Sequence, residues 1–359
     1  MSTQIKIFPT NKSKIAGLDF NNLPFGKVFT DHMFMADYID GEWKNCEIKE
    51  LKPFNVHPGN MAWHYGQSIF EGMKATRDSS GTPLLFRPEM HAKRINESAE
   101  RMCMPAIPEE LFVKAVSNLV ALEKDWIPPM EGSALYIRPF MFATDEFIGV
   151  RPSQTYKFII LTLPVGPYYD RPVKLKAETT YVRAANGGVG EAKAAGNYGA
   201  SLYPAMLAKN EGYDQVLWLD AKEFKYIEEV GTMNVMFVIN GRVLTPRPDG
   251  SILKGITKNS ILSILKDKGY KVEERKISIE EVFEAHKKGD LQEVFGTGTA
   301  AVVAQVNEIK YKDEIIHLDS EAYKIAPMVK DTINGIRSRK YADKFNWLQE
   351  AKLQLEAVS

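Results

Sequence analysis

Cysteine is almost absent: Cys46 and Cys103 are the only two in 359 residues, far apart and without metal-ligand spacing. A chain this long buries enough apolar surface to need no disulfide, so the pair reads as reduced thiols of an intracellular protein. The six histidines are scattered, with no His-x-x-x-His and no Cys/His grouping, which argues against a metal site. Neither sign of charge dominates, since Lys plus Arg and Asp plus Glu both number 46. That balance excludes a protein whose main work is gripping a nucleic-acid backbone, though not a local basic pocket for one small phosphate. No apolar run approaches the ~20 residues of a membrane span. Met1–Lys14 is polar and lacks the apolar core of a secretory signal, so it reads as a loose N-terminal arm. A soluble, cytoplasmic protein is expected, with no membrane or nucleic-acid partner. Repeats of fixed period and low-complexity segments are missing as well.

What is present is a core-forming chain, with 44% apolar and 11% aromatic residues. The runs at 134–140, 158–163, 216–219 and 235–239 read as strands. A helix is expected between Pro88 and Met102, with the proline where a first turn tolerates it. A second, about Glu109 to Trp126, carries Leu111, Val113, Val116, Leu119, Val120 and Leu122 as a one-sided stripe. Further helices are expected from about Thr257 to Lys268 and after Ser278, where Ser278-Ile279-Glu280-Glu281 has the capping-box form. Interleaved strands and helices define an α/β (mixed α+β) class. Between Pro164 and Pro172 three prolines and a glycine break the pattern. A boundary is placed there: a domain over 1–166, a linker over 167–177 and a second domain over 178–359.

The stretch from Asn186 to Gly199 is the most unusual in the chain. Five glycines and three alanines surround one lysine, Lys193. Small residues let backbone approach a ligand closely. A phosphate-cradling P-loop would need Gly-Lys-Ser/Thr, whereas Ala192 and Ala194 flank this lysine. Two readings stay open on chemistry alone: a solvated lysine on a flexible loop, and a Schiff-base lysine confined in a pocket.

Gly187-Gly188-Val189-Gly190, then Lys193, then Gly196-Asn197-Tyr198-Gly199 resembles the cofactor-lysine segment of branched-chain amino acid aminotransferases. These are fold-type IV enzymes of the class IV pyridoxal phosphate-dependent aminotransferase family. The resemblance runs from about Phe25 to Arg339, and the other motifs follow in the family's order. It implies two domains, a smaller N-terminal α/β one and a larger C-terminal one, with pyridoxal 5′-phosphate between them. It also implies a homodimer that moves amino groups between L-leucine, L-isoleucine or L-valine and 2-oxoglutarate, in a ping-pong cycle.

Residue by residue, the resemblance makes Lys193 the catalytic Schiff-base lysine and puts Tyr198 on the cofactor ring oxygen. In Glu229-Val230-Gly231-Thr232-Met233-Asn234 it makes Glu229 the carboxylate at the pyridine nitrogen, while Glu228 is expected to be solvated. Gly255, Ile256 and Thr257 open a helix suited to a phosphate. Thr299 is implied on the same phosphate, and Thr299 and Ala300 on the substrate carboxylate. Arg94, in Phe86-Arg87-Pro88-Glu89-Met90-His91-Ala92-Lys93-Arg94, is the implied phosphate-binding arginine. The string Tyr65-Gly66-Gln67-Ser68-Ile69-Phe70-Glu71-Gly72-Met73-Lys74 places Tyr65 and Phe70 against the substrate side chain. Tyr136, Arg138, Tyr168 and Thr232 join them, with Ile148 and Val150 reaching in from a neighbouring subunit. Aromatic walls edged by an arginine suit a pocket that accepts an apolar side chain and a second carboxylate in turn.

A D-amino acid aminotransferase or an aminodeoxychorismate lyase is the alternative within the fold, though both would be expected to lack the full strings quoted. Some eukaryotic members carry a Cys-x-x-Cys redox pair where this chain has Ala301 and Ala304. Thiol regulation of that kind is not expected.

Overall fold

The computed structural model describes residues 4–169 and 171–354. They divide into two compact units, the first made of residues 1–168 and 334–359, the second of 169–333. Each unit is built on its own nine-stranded sheet.

In the first unit the strands run in the order Lys6–Ile7, Glu42–Glu50, His32–Ile39, Tyr156–Val165, Ala134–Ala143, Met73–Arg77, Pro83–Phe86 and Leu348–Glu350. The short strand Ser68–Phe70 also pairs with Ala134–Ala143. Helices Pro88–Arg101 and Glu109–Leu122 pack together, and the second buries Leu111, Phe112, Ala115, Val116, Leu119 and Val120. Phe112 stacks on Phe158 at 6.0 Å; Leu111, Val116, Leu119 and Val120 of the expected stripe are buried, while Val113 and Leu122 pack half-buried against the same core. This helix stops at Leu122, short of the expected Trp126. Glu123 turns inward there and meets His32, whose Nδ1 lies 2.6 Å away and whose backbone N–H donates at 2.7 Å.

The N-terminal arm differs from expectation. Residues 1–3 lie outside the described residues, but Lys6–Ile7 forms an edge strand parallel to Glu42–Glu50, and Ile5 is buried. Backbone pairing continues with Phe8 N–H on the Ile48 carbonyl at 2.8 Å. Thr10 N–H then donates to His32 Nε2 at 2.9 Å. Polar composition concealed a segment held by backbone pairing and by Ile5 in the core.

In the second unit the order is Ile227–Val230, Gln215–Leu219, Val173–Ala177, Val302–Tyr311, Leu291–Gly298, Asn234–Ile239, Arg242–Pro246 and Val272–Arg275, with Glu314–His317 beside Val302–Tyr311. Val173–Ala177 is an interior strand with parallel neighbours on both sides, so the stretch expected as a linker over 167–177 contributes to the sheet. Asp170 of that stretch lies outside the described residues. The chain end departs from the expected division too. Leu348–Glu350 pairs with Pro83–Phe86, which places 334–359 in the first unit and makes that unit the larger.

The helix Ile279–Lys287 starts as its sequence demands. Ser278 Oγ accepts from Glu281 N–H at 3.0 Å, while the Glu281 carboxylate turns to Arg275 instead of completing the box. A buried carboxylate caps another helix from a distance: Glu293 accepts from the N–H groups of Lys324, Ile325 and Ala326 at 2.7–2.8 Å. No described helix is long and apolar enough to cross a membrane.

Candidate active site

Lys193 follows a turn-rich loop and precedes the short helix Ala195–Ala200. Asn197 braces this loop. Its side-chain amide donates to the carbonyls of Val189 and Ala192, both at 2.9 Å, tying the chain just ahead of the lysine. Gly190 leaves no room for a side chain, because a Cβ there would strike the Ser251 carbonyl and the Ala184 Cβ. Lys193 Nζ donates to the Tyr198 hydroxyl at 2.6 Å, and both residues are half-buried.

Glu229 sits on the strand Ile227–Val230, buried, with Oε1 accepting from Leu253 N–H at 2.7 Å. Burial pushes its carboxyl up, opposed by Arg183 and the Leu253 N–H. Arg183 Nε stands 3.4 Å from Glu229 Oε2. Tyr198, Thr232, Glu229, Arg183 and Leu253 line one pocket.

The string Glu229–Asn234 has a structural logic. Gly231 adopts φ 54° in the turn joining two strands, and a Cβ there would collide with Gln215 Oε1. Beyond the turn, Asn234 Nδ2 donates to the Leu253 carbonyl at 3.0 Å. Glu229 and Asn234 therefore hold the two polar groups of one peptide segment, immediately before Gly255. Gly255 in turn packs where a Cβ would meet Asn234 Oδ1. The helix Ile256–Asp267 begins there with no side-chain cap, and Ile256 and Thr257 form its first turn. Thr299 and Ala300 lie in the turn between Leu291–Gly298 and Val302–Tyr311. Nearby on the first of these strands Thr297 Oγ1 is buried without a partner among the described residues.

In the first unit, Arg94 is buried on Pro88–Arg101 and forks onto Glu71, with Nε to Oε1 at 2.6 Å and Nη2 to Oε2 at 2.8 Å. His91 Nδ1 lies 2.7 Å from the same Oε2. The Phe70, Tyr136 and Arg138 side chains form a second group. Arg138 lies over the Phe70 ring at 4.6 Å and donates to the Tyr136 hydroxyl at 3.0 Å. Phe25 joins Tyr136 and Tyr168 edge-on at 5.5 and 5.1 Å. The glycine of Phe-Glu-Gly-Met-Lys permits this packing, since a Cβ on Gly72 would meet the Tyr136 hydroxyl. Tyr65 ends the helix Met61–Tyr65, partly exposed. Ile148 and Val150 stand out on a surface loop, Val150 at 90% exposure.

One expectation is overturned here: Glu228 is not solvated but buried at 4% exposure, its Oε1 2.5 Å from Ser251 Oγ. Sequence reasoning also passed over Glu71, His91, Arg183 and Ser251. The signal for Glu71 was an acid set among apolar residues in a strand-forming string; Arg183 and Ser251 carried none, being single polar residues in loops.

A lysine held by a tyrosine, a buried carboxylate in the adjoining pocket and an uncapped helix start suit a phosphorylated aromatic aldehyde. The chain is an aminotransferase. The chain belongs to the amino-transferase class IV family, which residues 68–309 match. Over 359 residues it is 48% identical to branched-chain-amino-acid aminotransferase 2 of Bacillus subtilis, covering 99% of this chain and 98% of that one. Among solved structures it resembles the Escherichia coli branched-chain amino acid aminotransferase, with TM-score 0.74, 27% identity, and 90% and 99% of the two chains covered. It shares its fold with a T.th. branched-chain amino acid aminotransferase complexed with N-(5′-phosphopyridoxyl)-L-glutamate, with TM-score 0.72, 24% identity, and 88% and 98% covered.

Proposed function

We propose that this aminotransferase exchanges amino groups between L-leucine, L-isoleucine or L-valine and 2-oxoglutarate, using pyridoxal 5′-phosphate. The observation that carries the reading is the pairing of Lys193 with Tyr198 beside a pocket that also holds the buried Glu229. The name of the Bacillus subtilis relative and the phosphopyridoxyl-glutamate bound by the T.th. enzyme support it.

When bound, pyridoxal phosphate supplies an aldehyde that accepts the amino group and a ring that withdraws electrons. Lys193 would hold this group through its Nζ, and the same amine would serve as the base that moves a proton at the substrate α-carbon. Tyr198, whose hydroxyl accepts from Lys193 Nζ, would orient that amine and face the ring oxygen. Glu229 would hold the proton of the ring nitrogen. Arg94, the N–H groups of Gly255, Ile256 and Thr257, and the Thr299 hydroxyl would hold the phosphate. Thr299 and Ala300 bind the substrate carboxylate. Tyr65, Phe70, Tyr136, Arg138, Tyr168 and Thr232 surround the substrate side chain. Arg138 meets the second carboxylate of glutamate, while the rings pack against a branched chain.

The enzyme works as a homodimer in the cytoplasm, with Ile148 and Val150 completing the neighbour's pocket. Their exposure supports this, because apolar side chains so open to water favour a partner surface. Light scattering of the purified protein should give the mass of two chains.

The deciding experiment is an absorption spectrum of the cofactor-loaded protein before and after L-leucine. A visible band that disappears with L-leucine and returns with 2-oxoglutarate fits the proposal. A band that ignores L-leucine but answers a D-amino acid would move the protein to the D-amino acid aminotransferases. Absence of any band after adding pyridoxal phosphate would overturn the role of Lys193.

A further inference from the structure

Beside Glu229 lies a cluster to which the reaction above gives no role. Ser251 Oγ stands 2.5 Å from Glu228 Oε1 and 2.8 Å from Asp249 Oδ1. A serine hydroxyl has one hydrogen and can donate only once. With both carboxyls ionised, one of these contacts would set two oxygens face to face with no hydrogen between them. One carboxyl must therefore carry the second hydrogen.

Burial decides which. Asp249 is exposed, so its charge stays hydrated. Glu228 is shut away from water, and its other oxygen, Oε2, meets no donor among the described residues. An unpaired buried carboxylate oxygen is costly, and the carbonyl oxygen of a neutral acid is much less so. Burial pushes the Glu228 carboxyl up to about 7, with Ser251 and Arg183 opposing and Asp249 and Glu229 adding like charge.

The same serine reaches the cofactor carboxylate by another route. Arg183 Nη2 donates to the Ser251 carbonyl and, at 3.4 Å, to that of Gly190. Arg183 Nε stands 3.4 Å from Glu229 Oε2. The order is thus Asp249, Ser251 and Glu228 on the hydroxyl side, then Ser251, Arg183 and Glu229 on the carbonyl side.

We propose that Glu228 is a protonated carboxylic acid which donates to Ser251 Oγ, as Ser251 donates to Asp249, and that it serves as a positioning residue for the Arg183–Glu229 pair. Neutral, it leaves the Arg183 charge to Glu229 alone. Ionised, it competes for Arg183 and repels Glu229, so the proton affinity of the Glu229 carboxylate rises. The role in tuning the cofactor rests on the function proposed above; the protonation itself does not.

Infrared difference spectroscopy tests it, comparing wild type with Glu228→Gln in the cofactor-loaded protein. On the acid side of neutrality the wild type should show the carbonyl stretch of a protonated carboxyl that the variant lacks. That band should fade on the alkaline side with a midpoint of about 7. No difference band on the acid side would overturn the protonation. Ser251→Ala removes the hydroxyl that joins Glu228 to Asp249 and should displace the midpoint; an unmoved midpoint would overturn the bridge. In the visible spectrum, the cofactor band should lose an inflection near neutrality in Glu228→Gln, and an inflection that persists unchanged removes Glu228 from its tuning role. A protein that takes up no pyridoxal phosphate would sink the proposed function, while the infrared result would still decide the state of Glu228.

Discussion

Glu71 in the first unit and Glu228 in the second are both closed off from water, yet their surroundings are opposite. Glu71 collects four donors: Arg94 twice, His91, and the Gly72 N–H at 3.1 Å. Burial pushes its carboxyl up, but Arg94 and His91 overcome this and hold it well below the usual carboxylate range. Glu228 has one hydroxyl at Oε1 and, among the described residues, no donor at Oε2, and burial wins. The difference teaches that burial alone does not set the charge of a carboxyl. The number of donors within reach does, and four donors fix a charge where one cannot.

The first division to test is between a site that reacts and a site that holds. Lys193→Ala should lower both half-reactions by on the order of 10⁴-fold, the upper range for a positioned proton-transfer group. Unfolding in urea should move little, because Lys193 is only half-buried. Substantial transamination in this variant would sink the assignment. Glu71→Ala should act on the stability of its own unit. It removes the carboxylate that faces the buried Arg94, and urea unfolding should report a loss of about 3–5 kcal/mol. Parity with wild type would break the comparison at its charged end.

The pH dependences should have opposite signs. The Glu71 carboxyl is depressed, so its stabilisation is complete above the usual carboxylate range and is lost in acid as the folded state takes up the proton. His91, whose imidazole burial pushes down, acts in the same direction below its ordinary value. Glu228 is raised, from 4.5 to about 7, so its contribution is complete below the lower value and lost as pH climbs to the upper one. At roughly 1.4 kcal/mol per tenfold, that interval corresponds to about 3 kcal/mol. Glu228→Gln should recover much of it on the alkaline side, measured as stability against pH; a curve parallel to wild type would contradict the raised value. The smallest effect should fall outside both clusters. Ser278→Ala removes a helix cap and should cost ~1 kcal/mol at every pH.

Much of this architecture was legible in the sequence where local chemistry decided it. Pro88, the alternating and apolar runs, and Ser278 gave elements close to those observed, because turns, caps and periodicity act within a few residues. The loop around Lys193 stood out through its crowd of small residues, while the roles proposed for its residues came from resemblance. Three features escaped for a common reason. Lys6–Ile7 and Leu348–Glu350 are strands of two and three residues, too short for a period, and exist only because a distant strand offers its edge. Glu228 followed the ordinary rule for adjacent acids, which fails where a strand is buried on both faces. Arg183 and Ser251 became partners of the two glutamates only through the fold.

Leu253 has a further consequence. Its N–H is held by Glu229 and its carbonyl by Asn234, just short of the helix start at Gly255. Under the proposed assignment, the grip on an aromatic nitrogen and the grip on a phosphate are thus spaced by the same short bracket before any ligand arrives. Such a bracket works as a fixed ruler: a rigid molecule of matching length gains from both ends at one entropic cost, as in a chelate. Pyridoxal without its phosphate, or phosphate without the ring, should bind far more weakly than half the free energy of the intact molecule would suggest. Asn234→Ala, which loosens one jaw, should weaken the intact cofactor more than either fragment.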